Sequence, residues 1–73
     1  MKVNLESTTK IVELNGIPAR IWEGETESGI KVHAFITRIA APEDADLRQF
    51  EAELKECRKP SADVSANPLK LIL

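Results

Sequence analysis

The dipeptide Asn15-Gly16 constrains the fold more than any other feature, because both residues tolerate the positive φ that a type I′ turn requires. It separates two short runs, residues 10–14 and 17–22, that are rich in residues favoured in strands. We therefore expect an antiparallel hairpin. Pro18 cannot donate a hydrogen bond to a neighbouring strand, so it belongs at the beginning of the second strand or on an edge-facing position.

The chain after this hairpin predicts a turn and a third strand. Residues 23–29 contain two glycines and five polar residues, which is typical of a turn. Its three acids are expected to be solvated, and their spacing does not match the calcium loop of an EF-hand. They are Glu23, Glu25 and Glu27. Residues 30–39 are rich in β-branched and aromatic side chains and predict the third strand.

A helix is predicted after Pro42, beginning near residues 43–46. Asp46 with Gln49 fits a capping box, in which the carboxylate accepts from a free backbone N–H, and Asp44 is the competing cap. Pro60 disfavours helix at the preceding residue and should end it. Four residues recur at helical spacing and predict one apolar face: Leu47, Phe50, Leu54 and Cys57.

These elements predict an α+β domain, a three-stranded antiparallel sheet followed by one helix in the order β-β-β-α. Residues 1–59 form this domain. Residues 60–73 begin with a composition typical of a linker and are expected to be a flexible segment. This segment ends in an apolar tail that contains Leu69, Leu71 and Leu73. A short C-terminal strand in this tail is a further option.

Both faces of the predicted sheet carry large apolar groups, whereas a sheet with one wet face alternates apolar and polar residues. One helix covers one face, with Leu47, Phe50 and Leu54 as the expected core. Soluble monomers rarely expose a contiguous apolar patch of more than a few hundred Å². The tail, a second copy or another protein should therefore cover the other face. The predicted interface residues are Val12, Leu14, Trp22, Phe35, Leu69, Leu71 and Leu73.

The residue inventory argues against catalysis. His33 and Cys57 are the only histidine and cysteine, and nothing in the sequence brings them together. They cannot supply the four ligands of an ordinary zinc site, and no set of nucleophile, base and oxyanion donors can be assembled. We therefore predict no enzyme activity, no cofactor and no metal. The predicted function is a non-catalytic protein-interaction module that forms a homodimer, with exchange of the C-terminal tail between protomers and an unidentified protein partner as further options.

The layout of residues 17–57 resembles the AP2-like and integrase arm-type DNA-binding domains, which place an exposed sheet in the major groove. The resemblance implies nucleic-acid contacts through Arg20, Lys31 and Arg38. Ten Lys and Arg stand against twelve Asp and Glu, a net charge of −2. Phosphate binding needs a concentrated basic surface, so nucleic acid is the alternative function and not the favoured one.

Residues 15–24 and 34–39 together resemble small uncharacterised proteins of bacteriophages and prophages. That resemblance implies a bacterial setting and no function. No apolar run approaches the roughly 20 residues that span a bilayer, and the first residues lack the apolar core of a secretory signal. We therefore expect a soluble cytoplasmic protein without membrane association.

Overall fold

The computed structural model describes residues 1–65 and has a three-stranded antiparallel sheet in the order β1-β2-β3, followed by helices. The predicted α+β arrangement is confirmed, and a short second helix is added to it. The elements are β1 (Val3–Leu14), β2 (Ile17–Thr26), β3 (Lys31–Ile36), α1 (Leu47–Leu54) and α2 (Ala62–Ser65).

The hairpin between β1 and β2 has the predicted two-residue turn. Leu14 pairs with Ile17, and the intervening Asn15 and Gly16 have φ values of 50° and 83°. Pro18 is the second residue of β2, and pairing with β3 begins only at Arg20. The missing N–H of the proline therefore costs no hydrogen bond to β3.

β2 extends further than predicted. It continues to Thr26, so Glu23 and Glu25 lie in the central strand and not in a turn. Glu23 pairs with Glu6 on one side and His33 on the other. β3 is shorter than expected and ends at Ile36. In β2, pairing with β1 and β3 overrides the low strand propensity of Glu23 and Glu25, since strand propensity depends strongly on context.

β1 contains a bulge that nothing in the local sequence indicated. Its residues 8–10 lie opposite Ile21 alone, because the pairing shifts between Ser7 and Ile11. Thr8 is fully buried there, and its hydroxyl donates to the Ile21 carbonyl at 2.7 Å. A bulge increases the local twist and bends the strand, so the course of β1 changes at Thr8.

The outer edge of the bulge pairs with the chain that follows α1. Thr9 donates its N–H to the Arg58 carbonyl at 3.0 Å, and Arg58 donates its own to the Ser7 carbonyl at 3.1 Å. This parallel bridge joins Arg58 to Thr8. It attaches the C-terminal part of the chain to the sheet.

The register assigns side chains to two faces, because directly paired residues of antiparallel strands lie on the same face. The Ile21 face contains Val12, Leu14, Ala19, Ile21, Glu23 and Phe35. The Trp22 face contains Ile11, Arg20, Trp22, Ala34 and Ile36. The fully buried apolar residues among those described are Ala19, Ile21 and Val64, so the core lies on the Ile21 face.

The prediction that Leu47, Phe50 and Leu54 form a core is wrong. α1 has no buried residue; Leu47 is 54% exposed and Leu54 is 41% exposed, while Phe50 is half-buried. The predicted cap is confirmed, since Asp46 accepts from the N–H groups of Arg48 and Gln49. The helix ends at Leu54, however, well before Pro60. Eight residues make only about two turns, which provides little surface for a core.

Residues 61–65 contain a single helical turn, with Val64 buried and the other four residues exposed. Ser65 donates its N–H to the Ser61 carbonyl at 2.8 Å, which closes the single turn of α2. Val64 in that turn is fully buried. The domain boundary after residue 59 stays a prediction, and the tail residues Leu69, Leu71 and Leu73 lie outside the described residues. Neither helix within residues 1–65 has the length and apolar character that a bilayer span requires.

We predict that Gly24→Ala destabilises the domain far more than Gly16→Ala. A Cβ at Gly24 would overlap the Asn4 carbonyl of β1, and relieving such an overlap costs about 3 kcal/mol or more. A Cβ at Gly16 meets no atom within 4 Å, so only its left-handed backbone opposes alanine, at about 1–2 kcal/mol. Urea denaturation measures both, and equal losses would contradict the register of β1 on β2.

Candidate functional site

A cavity of about 440 Å³ lies between α1 and the Trp22 face of the sheet. It exists because α1 approaches this face without burying a side chain in it. Its volume falls within the range of small-ligand and docking pockets. We call it the α1 cleft, and its apolar lining consists of Ile11, Trp22, Ile36, Ile39, Phe50 and Leu54.

Three of the lining residues are large apolar side chains left open to solvent. Ile11 is 52% exposed, Ile39 is 47% exposed and Leu54 is 41% exposed. They come from β1, from the chain after β3 and from α1, so they surround the cleft from different elements. Trp22 lies between them on the central strand and is half-buried. The cleft therefore presents several large apolar side chains to solvent at one site.

The α1 cleft also carries charges of both signs. Arg20, Arg38 and Glu53 contribute to its lining. Arg20 uses one guanidinium N–H to donate to the Thr8 carbonyl at 2.8 Å, so this side chain also supports the bulge. A guanidinium has five N–H donors, which leaves Arg20 able to serve the bulge and the cleft together.

A second cluster, centred on Glu23, lies on the Ile21 face. Glu23 is only 8% exposed, and one carboxylate oxygen accepts from Arg58 Nη1 at 3.0 Å and from the Ser61 N–H at 3.0 Å. Its other oxygen accepts from the Ser61 hydroxyl. We call Glu23, Arg58 and Ser61 the Glu23 cluster. It joins Glu23 of β2 to Arg58 and Ser61, which lie 35 and 38 positions later in the sequence.

The environment of Glu23 keeps it ionised. Burial alone raises the pKa of this carboxyl. The hydrogen bonds from the Ser61 hydroxyl and amide, together with the charge and hydrogen bond of Arg58, outweigh that effect and lower the pKa below its ordinary value. The cluster satisfies a buried carboxylate with a cation and two neutral donors, so it is suited to structural attachment. Sequence reasoning missed it because its partners are remote in the chain.

The two residues considered for catalysis have different neighbours. His33 lies opposite Glu23 on the Ile21 face. Cys57 follows α1, and its sulfur lies 3.7 Å from the hydroxyl oxygen of Ser7, which donates to the Glu56 carbonyl at 2.7 Å. Within residues 1–65, no three His, Cys, Asp or Glu side chains are grouped as a metal site would require.

The predicted interface residues do not share one surface. Trp22 pairs with Ala34, whereas the preceding Ile21 pairs with Phe35. Neighbouring residues of a strand point to opposite faces, so Trp22 lies in the α1 cleft and Phe35 lies on the Ile21 face. Val12 and Leu14 also lie on the Ile21 face. The expectation that all four share a face is therefore wrong, because alternation alone does not determine register.

The cations considered for nucleic-acid binding are also divided. Arg20 and Arg38 line the α1 cleft. Lys31 pairs with Glu25 on the Ile21 face. In the part of the chain that the structure describes, the three cations thus form no common basic surface.

The sequence matches no protein-family model, no curated protein and no solved structure. The function must therefore be inferred from the chain's own geometry, in which the α1 cleft is an open, largely apolar surface and the Glu23 cluster is an internal attachment.

We predict that Glu23→Gln lowers the free energy of unfolding by about 1–3 kcal/mol at pH 7, because the charged hydrogen bonds to Arg58 and Ser61 are lost or weakened. Glu25→Gln is the matched control. Glu25 lies on the same face of the same strand but is exposed, so its change should stay within about 0.5 kcal/mol. Urea denaturation compares the two variants.

The same residue should make the protein acid-sensitive. The pKa of Glu23 is lowered in the folded state, so the unfolded chain binds more protons in acid. Its stabilising contribution is complete above the ordinary pKa of 4.5 and is lost as the pH falls through the lower folded value. Glu23→Gln should remove this loss from a stability profile measured between about pH 7 and pH 2. Parallel profiles for the variant and the unmodified protein would show that Glu23 is not the responsible group.

Proposed function

We propose that this chain is a non-catalytic interaction module that self-associates, and that a second copy covers the α1 cleft. The observation that supports this most directly is the ring of exposed apolar side chains, Ile11, Ile39 and Leu54, around a half-buried Trp22. Each Å² of apolar surface removed from water contributes about 25 cal/mol. Tryptophan is also among the residues that most often dominate binding at interfaces.

The chemistry of the cleft favours a second copy as its occupant. A two-fold interface brings the same patch of both subunits together, so the patch must complement itself. The lining of the α1 cleft supports this proposal in its chemistry, because it contains several apolar side chains and its charges include both Arg38 and Glu53. A two-fold axis through the cleft can place Arg38 of each copy near Glu53 of the other.

Other surfaces and partners are less well supported. Nucleic acid would meet Glu53 within the cleft and would find Lys31 on the opposite face. No catalytic role is proposed for His33 or Cys57, since they lie in different surroundings. A cytoplasmic location and an exchange of the tail between protomers remain proposals of the same kind, the latter concerning residues outside those described.

We predict a particle of twice the chain's 8.1 kDa in multi-angle light scattering, with a dissociation constant that rises about tenfold or more in Leu54→Ser, since burying a leucine contributes about 1.5–3 kcal/mol. The matched control is Leu47→Ser, because Leu47 is on the same helix, similarly exposed and outside the cleft lining. Its association should be unchanged. If the unmodified protein is monomeric at every concentration tested, the proposal is wrong.

Charge reversal tests the pairing across the two-fold axis. Arg38→Glu alone and Glu53→Arg alone should each weaken self-association, because each homodimer then opposes like charges. An equimolar mixture of the two variants should associate more tightly than either variant, because a mixed dimer restores both opposite-charge contacts. Native mass spectrometry resolves the mixed species. A mixture that behaves as the average of its components would show that these side chains do not meet across the interface.

A further inference from the structure

β3 forms one edge of the sheet, because β2 lies between it and β1. The turn before β3 determines which of its backbone groups face outward. Thr26 donates its N–H to the Ile30 carbonyl at 3.0 Å, which makes these two opposed residues a hydrogen-bonded pair. Such pairs alternate with non-hydrogen-bonded pairs along an antiparallel ladder. In the register of β2 on β3, the even-numbered residues of β3 therefore bond to β2 and the odd-numbered residues do not.

The outward groups are the N–H and carbonyl groups of Lys31, His33 and Phe35, and we call them the β3 edge. Among the described residues, none of the backbone hydrogen bonds outside the strand ladders reaches them. The edge of β1, by contrast, is bridged to Arg58 at its bulge. Proteins usually protect an open edge with proline, a bulge or several charges. β3 contains no proline and no register shift, and its one lysine is its first residue, so this edge can accept another strand.

We propose that the β3 edge pairs with the same edge of a second copy, antiparallel and with a two-fold axis at Ala34. Two identical antiparallel strands are related by a two-fold axis, the commonest symmetry of oligomers. Outward groups bond only to outward groups, so the axis passes through a residue and not between two residues. An axis at His33 would oppose histidine to histidine and Lys31 to Phe35. An axis at Phe35 would leave half of each strand without a partner.

The register centred on Ala34 opposes side chains that complement each other. On the Trp22 face, Val32 lies opposite Ile36 of the second copy, and Ala34 lies opposite its own counterpart. These are non-hydrogen-bonded pairs, whose Cα atoms approach to about 4.5 Å, and a small residue suits that distance at the axis. On the Ile21 face, His33 lies opposite Phe35 of the second copy. Aromatic and β-branched pairs across strands are stabilising, and no like charges are opposed in this register.

This inference goes beyond the covering of the α1 cleft, because it uses the backbone of an edge strand and a different two-fold axis. Either contact forms without the other. A contact confined to the six residues of β3 is small beside the roughly 20–30 residues on each side of a standard interface. Edge pairing should therefore require a higher chain concentration than the cleft contact, and it would join cleft dimers to each other.

Engineered cysteines test the register in a Cys57→Ser background. In a glutathione buffer at high chain concentration, Ala34→Cys should form a disulfide between two chains, because the paired Cα atoms lie within the span of a disulfide. Val32→Cys is the matched control on the same face of β3 and should not link to itself, whereas its mixture with Ile36→Cys should give the mixed disulfide. Adding Leu54→Ser, which disrupts the cleft, should leave the Ala34→Cys link intact. Failure of Ala34→Cys to link, or equal linking by Val32→Cys, would overturn the proposal.

Amide hydrogen exchange tests the same contact in the unmodified protein. The amides of His33 and Phe35 should exchange more slowly as the chain concentration rises, because their N–H groups then donate to the second copy. Glu13 is the control. Leu14 and Ile17 close the two-residue hairpin as a hydrogen-bonded pair, so the Glu13 N–H points outward on β1 and its exchange should not change. Protection of His33 and Phe35 that is equal at every concentration would show that the edge is covered within its own chain. That result, or an absence of protection throughout, would contradict edge pairing.

Discussion

The carboxylate of Glu23 is the group on which the C-terminal half of the structure depends. It is charged and nearly excluded from solvent, and a buried charge without partners is very costly. The nearby strands do not supply its hydrogen-bond donors, which come from Arg58 and Ser61. Satisfying this one side chain attaches the residues after α1 to the central strand, and Val64 in the turn that follows is fully buried. The polar cluster thus positions the apolar core.

Each helix contributes to the core in the opposite way from what its sequence indicates. α1 has the capped, amphipathic pattern of a core helix, yet it buries no residue. α2 is a single turn in a stretch of linker-like composition, and it contributes a fully buried valine. The difference arises from how each helix is attached to the sheet. α2 follows Ser61, which is hydrogen-bonded to Glu23, and Arg58, which is bridged to β1. α1 is connected to the sheet through the loops on either side of it. An unburied apolar helix face leaves the α1 cleft open.

Two apolar surfaces follow from this arrangement. The α1 cleft includes both charge signs and is surrounded by exposed branched side chains. On the Ile21 face, Val12, Leu14 and Phe35 are half-buried and Ile17 is exposed. The residues predicted to form one interface are therefore divided between the two sides of the sheet.

The local elements were predictable because their causes are local. The positive φ of Asn15 and Gly16 forms the hairpin, Asp46 caps α1 through its nearest N–H groups, and β-branched runs on either side of the turn become strands. The register, the bulge at Thr8, the length of β2 and the burial of Glu23 were not predictable. Each depends on groups that meet only after the chain has folded, such as Arg58 on Thr9 and Ser61 on Glu23. The sequence alone therefore determined that three strands and α1 form, and in what order, whereas α2 was not predicted. Only the tertiary structure decided which faces they bury, because burial depends on partners tens of residues away and local propensity contains no information about them.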